Sequence, residues 1–330
     1  MATMVFGGAG FVGLNIVEAL LSRGEEVLVF DATPLPQEAV AAFGPLPGKL
    51  RVVVGDVRNG EHVTAAMASA PQTVIYGAAI TAGVERDRSE PERIFDVNLN
   101  AFLGVLRAAR DAGVGRVINL SSAGAYGAAA FRGEILDEAD TAADPVSLYS
   151  ITKFASERMA SRMAEVWGID AVSVRLSGVF GRWERKTSVR DTPSPMHQVM
   201  TAAIAKTPAI LPRYDQRDWI YAPDVAGAVL ALRDTATLNH RLYNVSTGTT
   251  YAVLDWAQAL TARRPGFECR VAADGETPTV DFHSAVDRKP LAVERLSADT
   301  GFVPAFDMTR SVDDYDGWVT RSGPRALAVL

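Results

Sequence analysis

The sequence has little of several residue types on which common folds and sites depend. Cys269 is the one cysteine among 330 residues, which excludes a disulfide framework and predicts a reducing compartment. The four histidines are scattered without metal-ligand spacing, so no metal site is expected. Lysine occurs five times and never in a run, and the net charge is −6. Nucleic acid is therefore not an expected partner.

Long apolar runs are also missing. No run reaches the ~18 residues of a membrane span, so no membrane partner is expected. The chain opens directly on an apolar strand pattern, which leaves no room for a signal peptide. These features predict a cytoplasmic protein with one large α/β domain and a smaller appendage.

Apolar strand patterns alternate with helical patterns up to about residue 176, and the longest helical patterns cover 91–112 and 146–167. Such alternation predicts a Rossmann-type, doubly wound parallel sheet, an α/β fold. Beyond 177 the texture changes, with helical patterns near 196–206, 251–262, 290–299 and 309–320 and short strands near 209–211 and 241–245. We predict a dinucleotide-binding domain over 1–176. Residues 177–330 should form a mainly substrate-binding lid, with some segments returning to the core.

A glycine loop separates the first strand from the first helix. Gly7, Gly10 and Gly13 follow the G-x-x-G-x-x-G pattern, and Phe11 and Val12 stand at the start of the helix. A tight turn and a close approach of backbone to a pyrophosphate both need residues without Cβ. The helix N-terminus then presents free N–H groups to the phosphates. This pattern predicts a dinucleotide site.

Acidic and small residues end the next strands. Asp31 ends the second strand about 20 residues after the loop, where a carboxylate binds the adenosine ribose. Asp56 and Val57 end the third strand and should border the adenine, and Ala78 and Ala79 end the fourth and should let the cofactor lie against backbone. No arginine follows in the loop or just after Asp31 to receive a 2′-phosphate, which favours NAD over NADP.

A tyrosine and a lysine lie four residues apart in the second long helical pattern. Tyr149 and Lys153 should share one helix face, about 28 residues after Ser122. The ammonium can favour the ionised form of the phenol, which needs that help to act as a base at neutral pH. The pair therefore predicts an acid/base site beside the dinucleotide.

In these motifs the chain resembles the extended short-chain dehydrogenase/reductase family, in its NAD-dependent epimerase/dehydratase branch. The resemblance covers nearly the whole chain and rests on the glycine loop, Asp31, Gly55 to Val57, Asn98 to Asn100, Leu120 to Gly127, Tyr149 with Lys153, Arg217 to Tyr221 and Asp224 to Ala226. It implies NAD as cofactor. It also implies a homodimer, formed by analogy through the helices near 91–112 and 146–167.

The resemblance also implies roles for single residues. Tyr149 would be the general acid/base, and Lys153 would hold the nicotinamide ribose. Ser122 would bond the reacting oxygen, and Asn98 would support the helix behind Lys153 and border the cofactor. The substrate-binding set that it implies is Thr81, Ser122, Ala123, Tyr126, Tyr149, Ser177, Gly178, Arg182, Arg190 and Arg217.

Departures from the family pattern bear on the reaction. Ala123 and Gly124 stand where the dehydratases of this branch have an Asp-Glu pair, so dehydration is not expected, and Cys269 is too remote for a cysteine-dependent scheme. Gly178 stands where nucleotide-sugar epimerases have an asparagine, and 277–280 replaces their Arg-Pro-Gly-Asp segment. A basic cluster follows the sixth strand and consists of Arg182, Arg185, Lys186 and Arg190. The guanidinium forks of its arginines suit the binding of carboxylates.

The pattern is similar to that of sugar-acid and uronate dehydrogenases. It predicts an NAD-dependent oxidoreductase acting on a hydroxyl or carbonyl carbon of a small sugar or sugar acid. A nucleotide-sugar 4-epimerase with tightly bound NAD is the alternative, and Arg217 with the segment up to Tyr221 supports it. Reduction of another carbonyl compound stays open. A non-catalytic NAD sensor is disfavoured because Ser122, Tyr149 and Lys153 are intact.

Overall fold

The computed structural model describes residues 2–187, 189 and 193–323. Its strands are β1 (Ala2–Phe6), β2 (Glu26–Asp31), β3 (Lys49–Val54), β4 (Thr73–Tyr76), β5 (Arg116–Ser122), β6 (Ala171–Leu176), β7 (Gly178–Phe180), β8 (Ala209–Leu211), β9 (Trp219–Tyr221), β10 (Leu242–Val245) and β11 (Cys269–Val271).

The α-helices are α1 (Phe11–Ser22), α2 (Gln37–Phe43), α3 (Gly60–Met67), α4 (Val84–Ser89), α5 (Pro91–Phe95), α6 (Ala101–Asp111), α7 (Leu148–Trp167), α8 (Pro195–Ala205), α9 (Ala222–Asp234), α10 (Val253–Thr261), α11 (Glu294–Thr300) and α12 (Met308–Ser322). A π-helical turn, Asp96–Asn100, joins α5 to α6. Short 3₁₀ turns follow β5 at Ala123–Tyr126 and Ala128–Phe131.

Seven parallel strands form the central sheet in the order β10-β6-β5-β4-β1-β2-β3. The residues of β1, β4 and β6 are almost all buried, as expected for strands covered on both faces. The predicted Rossmann-type fold is confirmed. The chain winds outward from β1 in both directions, so the switch point lies between β1 and β4, where open α/β sheets bind ligands.

The helices differ from the sequence prediction in two places. The predicted helix over 91–112 is divided by the π-helical turn, which carries the buried Asn98. A helix that the patterns did not indicate, α9, packs against α1. Its buried residues lie on most of its circumference, so it lacks the apolar stripe by which a surface helix is recognised.

The chain beyond β6 both extends the sheet and covers its carboxyl edge. Strand β10 pairs with β6, while β7 pairs with β9 and β8 with β11 in two small parallel ribbons. Aromatic contacts among Phe180, Tyr221, Trp256 and Tyr315 join the β7-β9 ribbon to α10 and α12. None of the helices described is both long enough and apolar enough to cross a bilayer.

Candidate active site

One cleft of about 890 Å³ opens at the carboxyl ends of β1, β2, β4 and β5, under the segments that follow β6. Most of the residues predicted from the sequence border it. They are Gly7, Gly10, Phe11, Val12, Gly13, Asp31, Asp56, Val57, Ala78, Ala79, Thr81, Ser122, Ala123, Tyr149, Lys153, Ser177, Gly178 and Arg217. The topology therefore gathers residues from widely separated parts of the chain.

The glycine loop has the cradle that a dinucleotide needs. Gly7 has φ +75°, and a Cβ there would lie 2.6 Å from the nitrogen of Ala78. A Cβ on Gly13 would lie 2.2 Å from the carbonyl oxygen of Gly7. Neither distance is tolerable, so both positions require glycine. Gly10 is the N-cap of α1, and the helix N-terminus points into the cleft.

Asp31 holds the loop and keeps acceptor capacity for a ligand. Its Oδ2 accepts a hydrogen bond from the backbone nitrogen of Ala9 (3.0 Å). Its Oδ1 accepts from the nitrogen (3.0 Å) and the hydroxyl (3.2 Å) of Thr33. A carboxylate has about four lone-pair sites, so it can also accept from ribose hydroxyls. Together with the glycine cradle, this arrangement fits the adenosine half of NAD.

Asp56 already has a cationic partner. Arg58 donates two hydrogen bonds from Nε and one from Nη2 (2.6 Å) to its carboxylate. These hydrogen bonds lower the pKa of Asp56, so the carboxylate stays ionised. An adenine amino group would have to share this carboxylate with Arg58, a partner that the sequence analysis did not assign.

Helix α7 presents Tyr149 and Lys153 to the cleft. Ser147 begins the helix with a capping box, in which its hydroxyl accepts from the nitrogen of Ser150. Lys153 Nζ lies 5.8 Å from the centre of the Tyr149 ring. On the facing β5 edge, Ser122 Oγ accepts a hydrogen bond from the nitrogen of Gly124 (3.0 Å). That bond leaves the hydroxyl proton of Ser122 available to a ligand oxygen.

Lys153 is buried, with 4% of its surface exposed. Its Nζ donates to the carbonyl oxygen of Leu120 (2.7 Å). Burial lowers the pKa of Lys153 to about 8, and the negative charge of Glu157 opposes this shift. Glu157 lies one turn further along α7 and is itself paired with Arg175 on β6 (2.7 Å). A line of alternating charges thus runs from the cleft into the core.

Asn98 lies behind the cleft. It donates to Thr152 Oγ1 (3.1 Å) and bonds both the nitrogen (2.8 Å) and the carbonyl oxygen (3.1 Å) of Ile80. These contacts join the π-helical turn to α7 beside Lys153 and to the loop after β4. The predicted supporting position agrees with this placement, but the predicted cofactor contact does not, since Asn98 is buried and does not line the cleft.

Trp219 shapes the end of the cleft beside Gly178. A Cβ on Gly178 would lie 2.5 Å from the Trp219 ring, so the indole occupies the space of a side chain at 178. Thr81 and Ala123 border the same end, and the nitrogen of Thr81 donates to the carbonyl oxygen of Val189 (2.8 Å). The Trp219 ring on β9 therefore fills the space that a side chain at position 178 would occupy.

Two arginines line this end, and one of them forms no ion pair with a described residue. Arg217 packs 5.3 Å from the Trp219 ring centre and makes one long hydrogen bond, to the carbonyl oxygen of Phe282 (3.4 Å). In the part of the chain that the structure describes, Arg217 forms no ion pair. Burial lowers the pKa of Arg217, and the charge of nearby Arg288 lowers it further. Arg288 is paired with the buried Asp218 (2.6 Å) and donates to Ser177 Oγ (3.1 Å).

Two predicted substrate residues that the structure describes do not line the cleft. Tyr126 is fully buried, donates to Asn244 Oδ1 (3.0 Å) and stacks under the Arg175 guanidinium. Arg182 turns away and pairs with Asp314 on α12 (Nε to Oδ2, 2.7 Å). Neither side chain is on the lining of the cleft, because a short motif does not reveal which face a side chain takes. Arg190 lies outside the described residues.

The sequence analysis did not assign two residues that line the cleft, Trp219 and Arg288. Arg288 lies far along the chain from Arg217, in a segment without a recognisable element, so no local pattern indicates it. Trp219 was noted in a motif but not as a wall of the cleft. The one sequence signal for the contact between Trp219 and Gly178 is the combination of a bulky residue on β9 with glycine at 178.

The sequence is similar to those of several known proteins. A family model described as the NAD dependent epimerase/dehydratase family matches residues 3–246. The UDP-glucose 4-epimerase of Streptomyces lividans is 28% identical over 91% of this chain and 93% of its own. A 3-beta-hydroxysteroid dehydrogenase of Mycolicibacterium neoaurum is 32% identical, but the match spans 55% of this chain and 48% of that protein.

Solved structures agree with the fold. The UDP-glucose 4-epimerase of Thermus thermophilus in complex with NAD superposes with a TM-score of 0.74 at 28% identity, covering 96% of this chain and 99% of that one. Pal from Bacillus thuringiensis has a TM-score of 0.81 at 18% identity, with 98% and 100% covered, and so supports the fold alone.

Proposed function

Because the chain belongs to the NAD-dependent epimerase/dehydratase family, we propose that it oxidises a hydroxyl group of a small, anionic, carbohydrate-like substrate, with NAD as cofactor. The observation that carries this proposal is Arg217. The Arg217 guanidinium is partly buried and forms no ion pair among the described residues, and the charges of Asp287, Asp215 and Asp218 offset the effect of burial on its pKa only in part, so an anionic ligand would stabilise it. Arg217 lines the same cleft as Ser122 and Tyr149, which suits a role in binding the acidic group of a substrate.

The bulk of Trp219 supports a small substrate. Its ring fills the space beside Gly178, where nucleotide-sugar enzymes of the resembled branch place an asparagine. Arg288 is ion-paired with Asp218, so Arg217 is the arginine at this end that lacks an ion-pair partner among the described residues. One carboxylate would balance its charge.

NAD, when bound, supplies the hydride acceptor for oxidation and the donor for the reverse reaction. The protein's own groups manage the proton and the charge on oxygen. The Tyr149 phenolate takes the hydroxyl proton of the substrate, and the Lys153 ammonium favours that phenolate electrostatically. Ser122 donates its free hydroxyl proton to the reacting oxygen, which stabilises the negative charge that develops there. Asn98 keeps α7 in position through Thr152.

A nucleotide-sugar 4-epimerase is the second candidate. Arg217 and Arg288 together could hold a diphosphate, since anions with two charges can draw on both forks. Similarity to the UDP-glucose 4-epimerases supports it. Such an enzyme would retain its NAD and return the hydride to the opposite face of the same carbon.

Absorbance at 340 nm separates the two candidates. The purified protein is supplied with NAD and a panel of aldonates, uronates and free sugars, and UDP-glucose binding is titrated calorimetrically. NADH that accumulates in proportion to an acid substrate supports the dehydrogenase. Micromolar binding of UDP-glucose with no NADH accumulation would replace it with the epimerase.

Arg217→Ala should weaken the binding of an acidic substrate more than that of a neutral one. Losing a charge-assisted hydrogen bond costs about 1.5–3 kcal/mol, which corresponds to a KM about 10- to 100-fold higher. The neutral lactone or alditol of the same compound is the control and should change by less than about threefold, because it never engages the charge. Equal losses for acid and neutral analogue in steady-state kinetics would remove Arg217 from the substrate site.

Asp31 should determine the choice of coenzyme. We expect the wild type to prefer NAD over NADP by more than about tenfold, since a 2′-phosphate would face the carboxylate. Asp31→Asn removes the charge but keeps one acceptor oxygen, for either Ala9 or Thr33, and it should narrow this preference for NAD. Asp31→Ala should narrow it too, with added loss of loop order. A wild type whose kcat/KM favours NADP would refute the assignment.

A further inference from the structure

The segment 182–187, here called the strap, runs from β7 back across the glycine loop and α1. The carbonyl oxygen of Arg182 accepts from Asn15 Nδ2 (2.8 Å), and Trp183 Nε1 donates to Glu18 Oε2 (2.7 Å). The buried Glu184 accepts from both the nitrogen (2.7 Å) and the hydroxyl (2.6 Å) of Ser194. The strap is therefore a built element, anchored on α1 and on the start of α8.

Arg185 projects from the strap to the glycine loop. Its Nη2 donates to the carbonyl oxygen of Ala9 (2.8 Å), and its side chain lines the cleft. Within the described ranges this is the one hydrogen bond of the guanidinium, and no carboxylate forms an ion pair with it. Burial lowers the pKa of Arg185, and the charges of Asp31 and Glu38 oppose this shift only in part. Four N–H donors thus remain for a ligand.

The position of Ala9 indicates which part of the cofactor those donors face. Its nitrogen bonds Asp31, the ribose-binding acid, and its neighbour Gly10 caps α1, where dinucleotide phosphates bind. Arg185 therefore borders the interval between the ribose and the helix end. The other arginines on the described lining of that side are ion-paired: Arg58 with Asp56 and Arg93 with Glu90.

We propose that Arg185 binds the pyrophosphate of the cofactor, so that a residue beyond β7 completes the dinucleotide site. The glycine loop then supplies backbone N–H groups from one side, and the strap supplies a guanidinium fork from the other. This inference concerns the cofactor and holds for either substrate class.

Calorimetric titration of the full-length chain, freed of copurified nucleotide, tests the proposal. Arg185→Met keeps length and removes charge, and it should raise the Kd of NAD and of ADP-ribose by about tenfold or more. Adenosine, which has no phosphate, should bind as in the wild type. Lys186→Met is the matched control: it removes an exposed charge from the next position and should leave all three affinities within about twofold.

Further arms keep the result decisive. NADP binding should weaken by the same factor as NAD binding, because both carry the pyrophosphate. Arg185→Lys should recover part of the loss, and it replaces Arg185→Met if that variant's circular dichroism departs from the wild type. The proposal is overturned by a less than about threefold loss for ADP-ribose. Equal weakening of adenosine, or a loss confined to NADP, which would assign Arg185 to the 2′-phosphate, also overturns it.

Discussion

Tyr149→Phe should lower kcat by about 10²–10⁴-fold while leaving the Kd of NAD nearly unchanged. The substitution removes the proposed general base and retains the ring that lies beside Lys153. The capping box of α7 is formed by Ser147 and Ser150, so the helix start is unaffected. Turnover and cofactor affinity should therefore separate cleanly.

Single-turnover absorbance and calorimetry on the same preparation measure both quantities. Tyr214→Phe is the matched control, because it deletes a phenol hydroxyl from an exposed residue that bonds Asp255 away from the cleft. It should turn over like the wild type. A kcat of Tyr149→Phe that equals the wild-type value would show that another group moves the proton.

Lys153→Met should also abolish most turnover, with at least about 10²-fold loss expected from removal of the charge that favours the phenolate. Unlike Tyr149→Phe, Lys153→Met should also weaken the binding of NAD, because Lys153 is the proposed ligand of the nicotinamide ribose. Lys49→Met, at an exposed lysine on β3, is the control and should change neither. If Lys153→Met kept the wild-type affinity for NAD, Lys153 would not be a ligand of the ribose.

The same variant should reveal how the buried charge affects stability. The pKa of Lys153 falls from 10.5 in the unfolded chain to about 8 in the folded one, so the unfolded state holds more protons between those values. Stability rises with pH where the unfolded state binds more protons. The free energy of unfolding of the cofactor-free wild type, taken relative to Lys153→Met, should therefore rise between about pH 8 and 10. A difference that is flat or falls across this window in urea titrations would contradict the buried, destabilised ammonium.

The fold and the cofactor end of the cleft could be predicted because their signals are local. The glycine spacing, the acid after β2 and the tyrosine-lysine pair each depend on a few neighbouring residues, and parallel strands bring their carboxyl ends to one edge. The substrate end depends on packing between distant segments. Nothing near Gly178 indicates that Trp219 fills its side-chain space, and nothing near Arg182 indicates a partner 132 positions away on α12.

The helix around Asn98 shows another limit of the sequence. Residues 91–112 have helical spacing throughout, yet the backbone passes through a π-helical turn where Asn98 bonds Ile80 and Thr152. An insertion of this kind costs helix geometry and is retained where a side chain must reach a specific partner. Propensity describes the helix, whereas tertiary hydrogen bonds determine its local winding.

The strap touches both halves of the cleft, and this has a thermodynamic consequence. One end is bonded to the glycine loop and α1, while Thr187 borders the space beside Thr81 and Ser194. If a bound substrate shifted the strap, it would change the strength with which Arg185 binds the cofactor. Linkage then requires the cofactor to change substrate affinity by the same factor. The strap would then couple the binding free energies of cofactor and substrate, so that the affinity for each ligand depends on whether the other is bound.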